Sequence, residues 1–170
     1  KTLQDALIAA DRLFEIMDLE REKEENSFVL QPKMIGDIRF EQVTFRYGSR
    51  ATLFEDLNVS FQHQKMTAVV GHSGSGKSTL LSLLQNLYPI QSGGIFIGSM
   101  NIKYAELGSL RKHISVVPQQ IDLMAGTVIE NIALGDYQPD MELILEVCQR
   151  LDMISFIEKL PNGFQTVLGE

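Results

Sequence analysis

The sequence predicts an α/β fold organised around a phosphate-binding loop, and three observations lead there. Residues 71–78 read Gly-His-Ser-Gly-Ser-Gly-Lys-Ser, a complete G-x-x-x-x-G-K-[ST] pattern. The apolar run Thr67-Ala68-Val69-Val70 stands before it, and Ser78-Thr79-Leu80-Leu81-Ser82-Leu83-Leu84 follows with helical spacing. Period-two segments between Ile38 and Phe61 precede this unit, as expected of a half-buried antiparallel sheet, and a short strand at Ile95–Ile97 follows it.

Taken in chain order, the first element is a helix. Leu3, Leu7, Ala10, Phe14 and Met17 recur at intervals of four, three, four and three, forming one apolar stripe. Such a stripe suits either a surface helix packed on the domain or a helix entering from elsewhere. The acidic, charge-rich stretch from Leu19 to Asn26 then reads as a solvated linker. Ile38 and Phe40 alternate, and Val43, Phe45 and Tyr47 alternate one residue out of phase, which places a bulge at Glu41-Gln42. Gly48-Ser49-Arg50 makes a turn, and Leu57, Val59 and Phe61 alternate again. Lys65–Val70 lacks alternation and is expected as a strand buried on both faces. The helix after the loop should carry Leu80, Leu84, Leu87 and Tyr88 on one face and stop at Pro89. Ser92-Gly93-Gly94 leads into a short strand at Ile95–Ile97. Ile114–Val117 is expected as a second buried strand ending at Pro118-Gln119. Beyond Pro139, two short helices interrupted near Asp152 precede a turn at Pro161-Asn162-Gly163.

The loop's residue types follow from what a phosphate requires. Glycines let successive main-chain N–H groups turn inward and let the chain approach oxygen closely. The following helix points its positive end at the same anion. Lys77 can reach the outer phosphates, and the Ser78 hydroxyl can ligate Mg2+.

Composition narrows the alternatives. The 170 residues are 44% hydrophobic, enough for a core, and carry 15 basic against 22 acidic residues, a net charge of −7. No basic cluster appears, which argues against a nucleic-acid partner. The single cysteine, Cys148, excludes an internal disulfide, fits a reducing setting and reads as a small side chain on a helix. No apolar run is long enough to span a bilayer, and there is no signal-peptide pattern. The chain starts at Lys1 and stops at Val167-Leu168-Gly169-Glu170 within what looks like an element. This suggests a piece of a longer protein.

With these residues placed, the chain resembles the nucleotide-binding domain of ABC transporters, and the export type in particular. Tyr47, in Phe45-Arg46-Tyr47, matches the aromatic residue that stacks on adenine. Val117-Pro118-Gln119 matches the glutamine loop, whose Gln119 touches Mg2+ or the attacking water. Met124–Ile132 is similar to the segment that faces the membrane domain. Arg12–Asp18 resembles the extension joining the last membrane helix, and Leu160–Glu170 the run before the exporter signature. The resemblance implies a P-loop NTPase core of the ABC ATPase type, with an antiparallel β subdomain, a leading helix, the start of a helical subdomain and an incomplete central sheet. It implies residues 1–27 as the entry helix and linker, 28–135 as the N-terminal part of the ATP-binding core, and 136–170 as the start of the helical subdomain. The cofactors would be ATP and Mg2+. Tyr47, Gly71, His72, Ser73, Gly74, Ser75, Gly76, Lys77, Ser78 and Thr79 would bind nucleotide, Lys77 and Gln119 would act in catalysis, and Ser78 and Gln119 would face the metal.

The partners implied are a transmembrane domain of the same transporter and a second nucleotide-binding domain, at the cytoplasmic face of the cell membrane. Likeness to half-size exporters suggests a peptide cargo, with a peptidase domain upstream in some of them. The family's signature, its strand ending in Asp-Glu and its histidine switch do not occur in these residues; His63, His72 and His113 do not fit the switch. The chain alone is therefore expected to bind nucleotide without turning it over. A soluble ABC-type ATPase of DNA repair or translation is the alternative, favoured by a basic surface and disfavoured by an entry helix. A non-catalytic interaction module is a third reading.

Overall fold

The computed structural model describes residues 2–19, 28–136 and 138–169, so most of the expected linker at Leu19–Asn26 lies outside the described residues. The chain forms two compact units, Lys1–Val116 and Val117–Glu170, each with its own apolar cluster.

The first unit begins with α1, Thr2–Met17. Its predicted stripe is not packed: Leu7, Phe14 and Met17 are 58%, 58% and 73% exposed. The exposure of these three side chains does not fit a surface helix seated on this domain, although Ala10 between them is half-buried.

Strand β1 (Ile38–Phe45) is the centre of an antiparallel sheet, between β2 (Phe54–Phe61) and β3 (Ser92–Ile97). The expected bulge is present. Pairing between β1 and β2 shifts register between Phe40 and Val43, and Gln42 takes a left-handed φ of 51°. That shift is why Phe40, Val43 and Phe45 are all buried although their sequence spacing changes parity. Gly93 closes against the bulge; at φ 85° a Cβ there would sit 2.3 Å from the Gln42 carbonyl oxygen. The sheet ends with β4 (Met100–Asn101), a hairpin continuation of β3 that alternation does not reveal in two residues.

Helix α2 (Lys77–Leu84) is inserted between β2 and β3 and buries Leu83 completely against the sheet. It stops well before Pro89. Asn86 takes φ 54°, its N–H donates to the Leu83 carbonyl, and the Leu87 N–H donates to the Ser82 carbonyl. This is a Schellman ending with asparagine in the left-handed position. It takes Leu87 and Tyr88 off the helix, and both are exposed. A short helix the periodicity did not reveal, α3 (Leu107–Lys112), buries Leu107 and Leu110. Its Ser109 Oγ accepts from the Leu30 N–H and donates to the Glu106 carbonyl.

The two expected buried strands are the main correction. Neither Lys65–Val70 nor Ile114–Val117 pairs into a sheet, and Val70 and Val117 are each 88% exposed. Apolar composition marks a segment for burial, but a strand also needs a neighbouring backbone to complete its ladder. No such neighbour occurs among the described residues.

The second unit pairs β5 (Gly126–Thr127) with β6 (Val167–Leu168). It packs α4 (Val128–Ile132), α5 (Met141–Arg150) and α6 (Ile154–Ile157) around Val128, Ile144, Cys148 and Ile157. The break between α5 and α6 falls at Asp152, which has φ 55°, where the sequence placed it. Cys148 is buried, as its helical position implied.

Candidate nucleotide-binding site

Helix α2 starts at Gly76 with φ 91°, a conformation that costs little only for glycine. A Cβ on Gly76 would also lie 2.5 Å from Phe54 Cζ, so the aromatic ring at the start of β2 seats the loop directly. Gly76 offers no side-chain acceptor, and the first turn of α2 contains no acidic residue. The positive end of the helix therefore has no capping side chain or first-turn carboxylate, which suits a polyanion such as a triphosphate.

Gly71, His72, Ser73 and Gly74 form an exposed loop, Ser75 and Lys77 are half-buried, Gly76 and Thr79 are buried, and Ser78 is exposed. Lys77 Nζ donates to the carbonyls of Gly71 at 2.9 Å and His72 at 2.8 Å. The ammonium is thus folded over the loop it follows. Neutral carbonyls are weaker partners than anionic oxygens, by roughly a factor of two per bond. A phosphate entering the loop can therefore draw Lys77 away at a net gain.

Tyr47 lies just beyond the end of β1, where the turn closed by the Arg50 N–H on the Tyr47 carbonyl begins. Its hydroxyl donates to Thr79 Oγ1 at 3.1 Å. Its ring meets Phe45 edge-on, with centroids 4.8 Å apart, and Tyr88 edge-on at 5.0 Å. Each such pair is worth about 0.5–1.5 kcal/mol beyond area burial, so the ring is held in place. Tyr88 and Phe54 were not visible as site residues in the sequence. Tyr88 reads as one more member of a helix face, and nothing in the spacing marks Phe54 as the support of Gly76. Gln119 is exposed at a bend in the second unit. Within the first unit the structure thus gathers Tyr47, Thr79 and the loop.

Comparison with known proteins decides the family. Residues 54–167 match the family described as ABC transporter. The chain belongs to the ABC transporter family. It is 36% identical over 169 residues to the ATP-dependent lipid A-core flippase of Legionella pneumophila (strain Paris), covering 99% of this chain and 29% of that protein. It is 36% identical over 161 residues to the serine protease/ABC transporter B family protein tagA of Dictyostelium discoideum, covering 94% of this chain and 9% of that protein. Among solved structures, a bacterial Atm1-family ABC exporter with ATP bound superposes with a TM-score of 0.87 at 29% identity. That match covers 99% of this chain and 30% of the exporter. The chain therefore spans under a third of the ABC proteins it matches, and no helix among the described residues is long and apolar enough to cross a membrane.

Proposed function

We propose that this chain is the ATP-binding part of an ABC exporter and that residues 71–79 hold the triphosphate of ATP. The single observation that carries this is the start of α2: a left-handed Gly76, no capping side chain, no acidic residue in the first turn, and Lys77 poised on loop carbonyls. Main-chain N–H groups of the loop bind phosphate oxygens, Lys77 neutralises the outer phosphates, and the Tyr47 ring stacks on the adenine. Ser78 and, by its match to the glutamine loop, Gln119 would hold Mg2+, which would neutralise charge on the transferring phosphoryl group. Gln119 also orients water.

In the intact protein, a second nucleotide-binding domain and a transmembrane domain complete the machine at the cytoplasmic face of the membrane. ATP favours the closed pair, and its differential affinity for closed and open states moves the membrane helices. The exporter-like flanks at Arg12–Asp18 and Leu160–Glu170 support export, and the likeness to half-size exporters supports a peptide cargo. The names of the relatives support a lipid as the second reading. Reconstituted transport with each cargo class separates the two. Binding itself is tested by titrating ATP and Mg2+ into the intact protein. Saturable binding that Lys77→Ala weakens is expected; binding indifferent to Lys77→Ala would overturn the assignment.

A further inference from the structure

We infer that Tyr47 has a second task besides offering its ring to a base: through its hydroxyl on Thr79 it positions the first turn of the phosphate-loop helix. This rests on the nucleotide reading above. Three observations carry it. The hydroxyl of Tyr47 donates to Thr79 Oγ1 at 3.1 Å, across 32 residues of sequence. Thr79 is buried, within the first turn of α2 and three residues beyond Gly76, the glycine that turns the loop into the helix. The Tyr47 ring cannot easily drift, because Phe45, fully buried on β1, and Tyr88, beyond the asparagine ending of α2, both meet it edge-on.

The consequence is mechanical. Tyr47 is tied through one end to the antiparallel sheet and through the other to the loop helix. Thr79 accepts at Oγ1 and keeps its own hydroxyl proton for donation. A base resting on the Tyr47 ring therefore fixes the group that fixes Thr79, and a phosphate ordering the start of α2 fixes the ring. The two halves of a nucleotide are sensed through one hydrogen bond. Tyr47 and Thr79 are positioning residues in this sense.

A base-free ligand isolates the effect. Inorganic tripolyphosphate has nothing to stack, so a purely stacking Tyr47 cannot influence its affinity. Binding of ATP and of tripolyphosphate, each with Mg2+, is measured on the intact protein for the wild type, Tyr47→Phe, Thr79→Val, Thr79→Ser and the Tyr47→Phe/Thr79→Val pair. Tyr47→Phe keeps the ring and both edge contacts. It should nevertheless weaken tripolyphosphate about two- to twelvefold, the range that one net hydrogen bond is worth. Thr79→Ser, which retains the hydroxyl, should restore near-wild-type binding and also shows that the position tolerates change. The double variant should be no weaker than Thr79→Val alone, because the two substitutions remove the same bond. If Tyr47→Phe binds tripolyphosphate like the wild type, or if the two losses simply add, the inference falls while the nucleotide site stands. If the wild type binds neither ligand saturably, the nucleotide reading itself falls.

Discussion

Lys77 is the residue on which the phosphate chemistry turns. Its ammonium is already over the loop, donating to Gly71 and His72 carbonyls, so little rearrangement separates it from a bound phosphate. A hydrogen bond from a charged donor is worth about 1.5–3 kcal/mol, so Lys77→Ala should weaken ATP binding by at least roughly tenfold. Calorimetry on the intact protein checks this, and an unchanged affinity would count against the role. Gly76 makes a second, structural prediction. At φ 91° and with Phe54 2.5 Å from any added Cβ, Gly76→Ala must move either the ring or the helix start. It should cost about 1–3 kcal/mol of stability in a denaturant melt, and a melt identical to the wild type would show that the loop is not seated as described. At this scale the sequence was informative where chemistry demands a residue type, as in residues 71–78. It was silent about Phe54 and Tyr88, because an aromatic ring that supports a neighbour has no spacing of its own. Tyr47 was legible only through its likeness to a family pattern.

Elements were legible where local rules act alone and obscure where a partner decides. Alternation in 38–61 specifies β1 and β2, and its change of parity at Glu41-Gln42 specifies the bulge, because one buried face enforces register. The end of α2 is not legible from the leucine spacing, which continues through Leu87, because the stop is set by one asparagine able to enter the left-handed region. Asn86→Val should therefore lower stability by about 1–2 kcal/mol, whereas Asn86→Gly should not; equal effects of the two would contradict the Schellman ending. In Lys65–Val70 and Ile114–Val117 apolar content says that a segment seeks cover without saying what covers it. The start of α4 is a capping box. The Glu130 carboxylate accepts from the Thr127 N–H at 2.6 Å and from its hydroxyl at 2.9 Å, while Thr127 Oγ1 accepts from the Glu130 N–H at 3.3 Å. The Thr127 N–H, and secondarily its hydroxyl, hold the Glu130 carboxyl below the ordinary carboxylate range. A depressed folded value means that this contribution is complete above the unfolded carboxylate's range and is lost as pH falls through the lowered one. Protection of the Thr127 amide, its exchange rate relative to the intrinsic rate at each pH, should fall in acid in the wild type but show no such step in Glu130→Gln. A step of equal size in both would show that the carboxylate is not the responsible group.

At the scale of the whole molecule, two features bear on behaviour. Each unit has its own core, Leu83 and Leu110 being fully buried in the first and Ile157 3% exposed in the second. The apolar stretches at 66–70 and 116–117 leave Met66, Val70 and Val117 largely uncovered, and an apolar segment with unpaired backbone invites association. The 170-residue chain by itself should therefore associate with rising concentration in light scattering. A monodisperse monomer at all concentrations would refute this. Under the proposed function, the exposed Leu7, Phe14 and Met17 of α1 would find their cover on membrane helices of the intact protein.

The most direct measurement is equilibrium binding of labelled ATP with Mg2+ to the intact protein, wild type beside Lys77→Ala. Saturable binding to the wild type, weakened at least roughly tenfold in the variant, is the predicted result. Absence of saturable binding to the wild type, or equal binding to both, would contradict a triphosphate held where α2 begins.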